Sequence, residues 1–264
     1  MAIDEKTLSG EVYTVLSNRQ TEKIALLAET LQTKELGEVS RHFGEAVKLV
    51  KTMTCDLSPS YRRYVQDTFP QAMRIADKFH IVKHALESLQ AIRLRYKHQE
   101  MAAVAERKQQ HKQEPPKMSN DETRLEMLHR SRYVLYKLSR TWTPSQQRRA
   151  KLLFRAYPEL RQAYLLVEQL RVWYDRNNLG KASWKIAKEL DRWYQKVDEA
   201  AIPELTALMK LIESHEEEIT NYFRTGKTNA QAEALNNNLQ RFVASNYGVR
   251  DRDFFLFRVA IYFS

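Results

Sequence analysis

In the first part of the chain the apolar residues come in short runs bounded by polar and turn-forming ones, whereas after Asp77 they recur every three or four positions. Short alternating or apolar runs mark strands, and a spacing of three and four marks one face of a helix. Strands are therefore expected over residues 12–17, 23–28, 46–55 and 73–77, the third ending at Asp56, with a very short first strand around Asp4. A helix is expected over 33–43. Ser58-Pro59 supplies a capping hydroxyl and a proline at the first helical position, so another helix should run from there to about Thr68. Strands alternating with helices argue for an α/β sheet with crossovers.

Beyond Asp77 the pattern is helical. Residues 79–108 contain neither Pro nor Gly, and a polar break around Pro115-Pro116 separates them from an expected helix over 122–139. Thr143-Pro144 opens another, with Thr143 as its cap. Leu160, Ala163, Tyr164, Val167 and Leu170 keep a helical period, and Trp184, Ala187, Leu190, Tyr194 and Val197 keep one after Gly180. Pro203 begins a last long helix whose inward side would be Leu205, Leu208, Met209, Ile212, Ile219 and Phe223.

Composition narrows the class. With 264 residues, 43% of them hydrophobic, the chain can bury a core. No stretch approaches the ~20 apolar residues that span a bilayer, and the N-terminus lacks the regions of a signal peptide, so a cytoplasmic protein with no membrane partner is expected. Cys55 is the sole cysteine, which excludes disulfides and multi-thiolate zinc sites. The net charge of +10 is concentrated: residues 78–155 hold 18 Lys and Arg against 7 Asp and Glu. Such a segment suits contact with a polyanion, because each neutralised phosphate releases counterions; as a solvated helical face it would only aid solubility.

Four local contexts carry the candidate chemistry: Met1-Ala-Ile-Asp4-Glu5-Lys6; Thr52-Met-Thr-Cys-Asp56-Leu-Ser-Pro-Ser-Tyr61; Asp77-Lys-Phe-His80; and Thr228-Asn-Ala-Gln-Ala-Glu233-Ala-Leu-Asn-Asn237, followed by Asn246-Tyr-Gly-Val-Arg250. In order and character they resemble the ISL-three family of insertion-sequence DDE transposases, over the chain from its start to about Arg258. The resemblance implies a ribonuclease-H-like α/β fold: a mixed sheet with a large all-helical insertion before the final catalytic helix. Residues 1–89 and 201–264 would form the catalytic core and 90–200 the basic insertion. It implies metal-dependent DNA cleavage and strand transfer by Asp4, Asp56 and Glu233 with two Mg²⁺ or Mn²⁺ ions, and His80 as a further catalytic residue held by Asp77. Double-stranded DNA, as transposon ends and target, would be the partner, with room for a homodimer. Full-length relatives usually carry a zinc ribbon and a helix-turn-helix ahead of the catalytic domain, and only three residues precede Asp4 here.

The chemistry is consistent with these residue types. Displacement at phosphorus is served by two divalent ions about 3.5–4 Å apart, and hard ions prefer carboxylate oxygens. On a helix, Asn229, Glu233, Asn236, Asn237 and Gln240 fall on one side, a surface of amides around one acid that is poor core material but can donate to phosphate oxygens or bases. In the insertion, Arg93, Arg95, Lys97, Arg130, Arg132, Lys137, Arg140, Arg148, Arg149 and Lys151 are candidate phosphate contacts, with Arg250 in the tail. The four tryptophans could stack on unpaired bases, but Trp173, Trp184 and Trp193 read as core, and only for Trp142 is core not the favoured reading. The aromatics Phe254, Phe255 and Tyr262 are expected under the sheet. Taken singly, each acid also reads as an ordinary strand end, turn or helix residue. Two rival functions are a truncated, noncatalytic DNA-binding remnant and a general nuclease of the ribonuclease-H-like class.

Overall fold

The first strand is far longer than the pattern around Asp4 suggests. In the computed structural model, which describes residues 1–110, 114–175, 178–245 and 251–263, β1 (Ala2–Leu8) pairs antiparallel along its whole length with β2 (Glu11–Asn18). The turn between them uses Gly10 at φ 96°, backbone that a side chain would strain. β2 pairs antiparallel with β3 (Lys23–Ala28), and on its other side β1 runs parallel to β4 (Thr52–Cys55), which runs parallel to β5 (Met73–Ala76). The result is an open, five-stranded mixed sheet of order β3-β2-β1-β4-β5.

Alternation along β1 divides the core between the two faces of this sheet. Ile3, with Leu16, Met53 and Cys55, packs with Leu36 of α1 (Thr33–Ser40) and with Tyr61, Tyr64 and Val65 of α2 (Pro59–Thr68). Leu8, with Tyr13 and Val15, packs with Leu235, Leu239 and Val243 of α11 (Ala230–Ser245) and with Phe255 and Val259 of α12 (Arg252–Phe263).

The chain folds as two compact units. One holds Met1–Ile81, Leu179–Ser183 and the described residues from His215 onward; the other holds the described residues of Val82–Asn178 and Trp184–Ser214. The second is built of helices apart from one isolated β-bridge between Lys117 and Thr123: most of α3 (Lys78–Gln109), then α4 (Arg124–Arg130), α5 (Arg132–Tyr136), α6 (Pro144–Ala156), α7 (Pro158–Trp173), α8 (Ser183–Ala200) and α9 (Pro203–Glu213). Its interior includes Ile92, Leu128, Leu153, Leu160, Leu170, Leu190 and Leu205, all buried. α10 (Glu216–Thr225) returns the chain to the first unit. Among the described residues no helix is long and apolar enough to cross a membrane.

Several expected elements are corrected. The strand expected over 46–55 shrinks to Thr52–Cys55, because Arg41–Leu49 is a 3-10 segment bent at Gly44, whose φ of 49° ends the regular path; the same segment stops α1 at Ser40. The helix expected over 122–139 breaks into α4 and α5 at Ser131, whose hydroxyl donates back to the Met127 carbonyl at 2.6 Å. The long helix from Pro203 is interrupted at Ser214-His215, although its six inward residues are all buried. Thr143 caps α6 as expected, with Gln146 closing a capping box. Ser58 stands at the α2 N-cap, but its hydroxyl does not cap; instead its backbone N–H donates to Asp56 Oδ1 at 2.9 Å.

Candidate active site

β1, β4 and β5 are parallel, so their registers determine which residues emerge side by side at their C-terminal ends. Ala2 lies beside Thr54, and Cys55 beside Ala76. Continuing both registers puts Asp4, Asp56 and Asp77 abreast of one another across three adjacent strands. Side chains abreast in a parallel ladder share a face, and Asp4 lies on the α11 face.

α11 is fastened to this row at two points. The Asn229 backbone N–H, at its N-terminus, donates to Asp77 Oδ1 at 3.2 Å, and Asn236 Nδ2 donates to Asp4 Oδ2 at 2.8 Å. Glu233 lies between them on the same helix face, its own N–H donating to the Asn229 carbonyl at 2.8 Å. The face carrying Glu233 is thus pinned to the first and third aspartates of the row.

The electrostatics match a site that gathers negative charge. Burial raises the Asp4 carboxyl above its ordinary value and the nearby Asp56 charge adds to this, while the Glu5 N–H, the His80 charge and the Asn236 amide pull it back. His80 Nδ1 donates to Asp77 Oδ2 at 3.1 Å; that bond raises the imidazole against the opposing effect of burial, and the charges of Asp77, Asp56 and Asp4 push the same way. Asp77 is almost completely buried and binds both His80 and the start of α11. Its sequence position suggested only the first of these roles.

Among the described residues no group of three or more His, Cys, Asp or Glu is gathered closely enough to hold a metal ion. The surroundings nonetheless suit a hard, hydrated ion or a phosphate. The donors available are carboxylates, and the side-chain amide of Asn229 and Oδ1 of Asn236 are buried without a hydrogen bond from the protein. Buried amides left unpaired are uncommon in folded proteins. The predicted amide face divides: Asn229 and Asn236 turn inward beside the acids, Glu233 is half-buried, and Asn237 and Gln240 are exposed.

The predicted phosphate contacts fare unequally. Arg93 is buried, with Nε donating to Gln90 at 2.7 Å and a terminal nitrogen to the Leu128 carbonyl at 2.9 Å. Arg95 is ion-paired to Glu159 and Glu204, and Arg130 and Arg149 share Glu122. Arg132, Lys137, Arg140, Arg148 and Lys151 are exposed and Lys97 is half-buried; Arg250 lies outside the described residues. Trp142, left open between stacking on bases and core, stacks on Tyr164 at 5.2 Å and donates to the Val134 carbonyl. Trp184, read as core, is 63% exposed; Trp173 and Trp193 are buried. Of the tail aromatics expected under the sheet, Phe255 is there, edge-on to Tyr13; Phe254 is exposed, and Tyr262, also largely exposed, lies against Phe242 of α11.

A sequence model of a family named DDE_Tnp_ISL3 and described as "Transposase" matches residues 1–259. Among curated proteins, the chain is similar to the transposase for insertion sequence element IS1001 of Bordetella parapertussis, 23% identical over 84% of this chain and 51% of that protein. It is also similar to the transposase for insertion sequence element IS1557 of Mycobacterium tuberculosis, 27% identical over 70% of this chain and 41% of that protein. The chain therefore spans about half or less of the length of these relatives. No solved structure matches it significantly.

Proposed function

Because the chain belongs to the ISL3 family of DDE transposases, we propose that it forms the catalytic part of such an enzyme, cutting and joining DNA strands at insertion-sequence ends on a ribonuclease-H-like core. The observation that carries this reading is the row of Asp4, Asp56 and Asp77 across adjacent parallel strands, with the Glu233 face of α11 tied to it through Asn229 and Asn236. The strand order β3-β2-β1-β4-β5 and the helical region between β5 and α11 support the fold assignment.

Asp4, Asp56 and Glu233 are the residues that would hold Mg²⁺ or Mn²⁺, which when bound supplies Lewis-acid activation of the attacking oxygen and charge stabilisation of the leaving one. Such ions take few protein ligands and leave the remaining positions to phosphate and water, so carboxylates from three separate segments suffice. Asn236 holds the Asp4 carboxylate in place, and Asn229 with Asp77 fixes the start of the helix that brings Glu233. His80, favoured in its protonated form by Asp77, can donate a hydrogen bond to a phosphate oxygen or to the departing strand. The exposed cations of the second unit, among them Arg132, Arg140 and Arg148, supply phosphate contacts along the DNA.

Purified chain given pre-nicked branched DNA and Mn²⁺ should cut or join strands. Asp56→Asn and Glu233→Gln should abolish this while DNA binding persists. The rival, a noncatalytic DNA-binding remnant, is favoured by the lack of a gathered three-ligand cluster among the described residues. Salt-sensitive binding with no metal-dependent turnover would establish it instead.

A further inference from the structure

A cavity of about 670 Å³ in the first unit is lined by Arg19 from the β2–β3 turn, Lys227 from the α10–α11 loop, Gln231 of α11, and apolar side chains of the 3-10 segment and its exit. Arg19 and Lys227 are held by hydroxyls rather than by carboxylates. Arg19 donates to the Thr54 hydroxyl at 3.1 Å and Lys227 to the Thr52 hydroxyl at 2.8 Å, and neither forms an ion pair among the described residues. Arg19 Nε is buried with no hydrogen-bond partner at all. A buried guanidinium nitrogen without an acceptor is costly unless something with oxygen atoms binds there.

Much of the remaining lining is apolar. Phe43 and Val50 are half-buried, and Leu49, next to Val50 in the chain, is 78% exposed, a large hydrophobic side chain left in solvent in the lining of a cationic cavity. Cations and apolar side chains lining one cavity have the two-part character of a nucleotide site: phosphate oxygens on the cations and the flat base against hydrocarbon. The volume is within the ordinary range for small-molecule pockets, about 300–1,000 Å³.

Its position connects it to the row of acids. Thr54, which holds Arg19, lies two residues before Asp56 along the chain, and the Arg19 guanidinium is close enough to Asp77 for that carboxylate's charge to act on it. Lys227 lies two residues before Asn229, whose N–H binds Asp77. A strand whose phosphate reaches the acids therefore has a cationic cavity within a few residues of them.

We propose that this cavity seats an unpaired nucleotide of the DNA strand next to the acids, its phosphate on Arg19 and Lys227 and its base against Phe43, Leu49 and Val50. The inference rests on the DNA-processing reading of the acid row, adding to it a preference for DNA with single-stranded character. Neither residue stood out in the sequence, since one lies in a two-strand turn and the other in a short loop distant along the chain.

The test is fluorescence anisotropy of the full chain in EDTA, which keeps strand chemistry silent, with a duplex bearing a single-stranded tail and a matched blunt duplex. Arg19→Ala and Lys227→Ala should each weaken tailed-DNA binding about fivefold at 0.1 M salt and flatten the salt dependence by about 0.7 in log–log slope, and the double variant by about 1.4. Binding to the blunt duplex should change by less than about twofold. Leu49→Asp should weaken the tail alone in the same way. Equal losses on both DNAs, or no loss on the tailed one, would overturn the proposal. So would displacement of the tail by millimolar inorganic phosphate or deoxynucleoside monophosphate combined with insensitivity of DNA binding to the variants, which would make the cavity a site for free phosphate compounds. Should Arg19→Ala fail to fold, Lys227→Ala, a half-buried side chain bonded only to a hydroxyl, decides the question. Tail selectivity would survive if the protein proved unable to cut DNA, and cutting dependent on Asp56 would survive if tail selectivity proved absent.

Discussion

Replacing Asp4 with Asn removes a half-buried negative charge while preserving shape, which separates a functional acid from a structural one. Asp4 accepts hydrogen bonds from the Glu5 N–H at 2.9 Å and from Asn236 Nδ2 at 2.8 Å. In the variant, the new amide oxygen keeps the first. A half-turn of the Asn236 amide presents its Oδ1, now unpartnered, to the new NH₂ group, so no hydrogen bond is lost overall. What disappears is the burial penalty on a carboxylate and its repulsion from Asp56, partly offset by the lost attraction to the His80 charge. Relief of a destabilising functional group commonly yields about 0.5–2 kcal/mol, and each kcal/mol raises the melting temperature of a chain of this size by about 2–4 °C. Thermal unfolding in EDTA at neutral pH is the assay. The sign of the pH dependence provides a second check. A carboxyl whose folded pKa lies above its unfolded value of 3.8 binds more protons folded than unfolded, so its contribution to stability falls as pH rises from near 3.8 through the raised value. The wild-type minus variant stability should show that decline and be flat above it. Added Mn²⁺ should stabilise the wild type by mass action and the variant much less. A variant destabilised by about 1 kcal/mol or more would refute the reasoning and make Asp4 a structural residue.

Other substitutions test neighbouring parts of the account. Arg93→Met should destabilise the second unit by about 1.5–3 kcal/mol in urea unfolding, through the loss of its bonds to Gln90 and the Leu128 carbonyl, with DNA affinity of the folded fraction unchanged. Burial pulls the Glu122 carboxyl upward, but Arg130, Arg149 and Asn120 together hold it below its ordinary 4.5; its stabilisation should therefore be complete above pH 4.5 and vanish as pH falls through the depressed value. Glu122→Gln should remove that acid-sensitive component when unfolding is followed by circular dichroism. Gly226→Ala should cost about 1 kcal/mol, because the position ends α10 at φ 64° and a Cβ there would meet Leu179 at 3.2 Å. Asn236→Leu, which removes the donor to Asp4, should lower strand-cleavage rate more than DNA affinity, and equal losses in both would contradict a positioning role.

What the sequence made legible were features with local causes. β3 and α2 run over the expected residues because their signals, an apolar run and a Ser-Pro start, act on their own neighbourhoods. The errors arose where tertiary context decided. Residues 46–49 begin an alternation that a strand would continue, yet the bend at Gly44 carries them into a 3-10 path. Neither Ser131 nor Ser214-His215 disturbs the apolar period, so the breaks there leave no trace in it. For the site, the sequence singled out Asp4, Asp56 and Glu233 and suggested that Asp77 holds His80. It did not reveal that Asp77 also anchors α11, since that bond uses the Asn229 backbone N–H, a group every residue but proline carries. Nor could it separate Arg93, whose guanidinium serves the fold, from exposed Arg148, because charge along the chain says nothing of depth.

If Asp4, Asp56 and Glu233 act around one metal-binding centre, a redox-active ion bound there will cut the polypeptide beside all three, which affinity cleavage reads out. The DNA-bound protein is loaded with Fe²⁺ in place of Mg²⁺ and exposed briefly to ascorbate and peroxide, and the resulting polypeptide cuts are mapped by mass spectrometry. Cuts beside all three acids, lost together in Asp56→Asn, are the predicted result. Cuts that spare any one of the three segments, or that persist unchanged in Asp56→Asn, would contradict it.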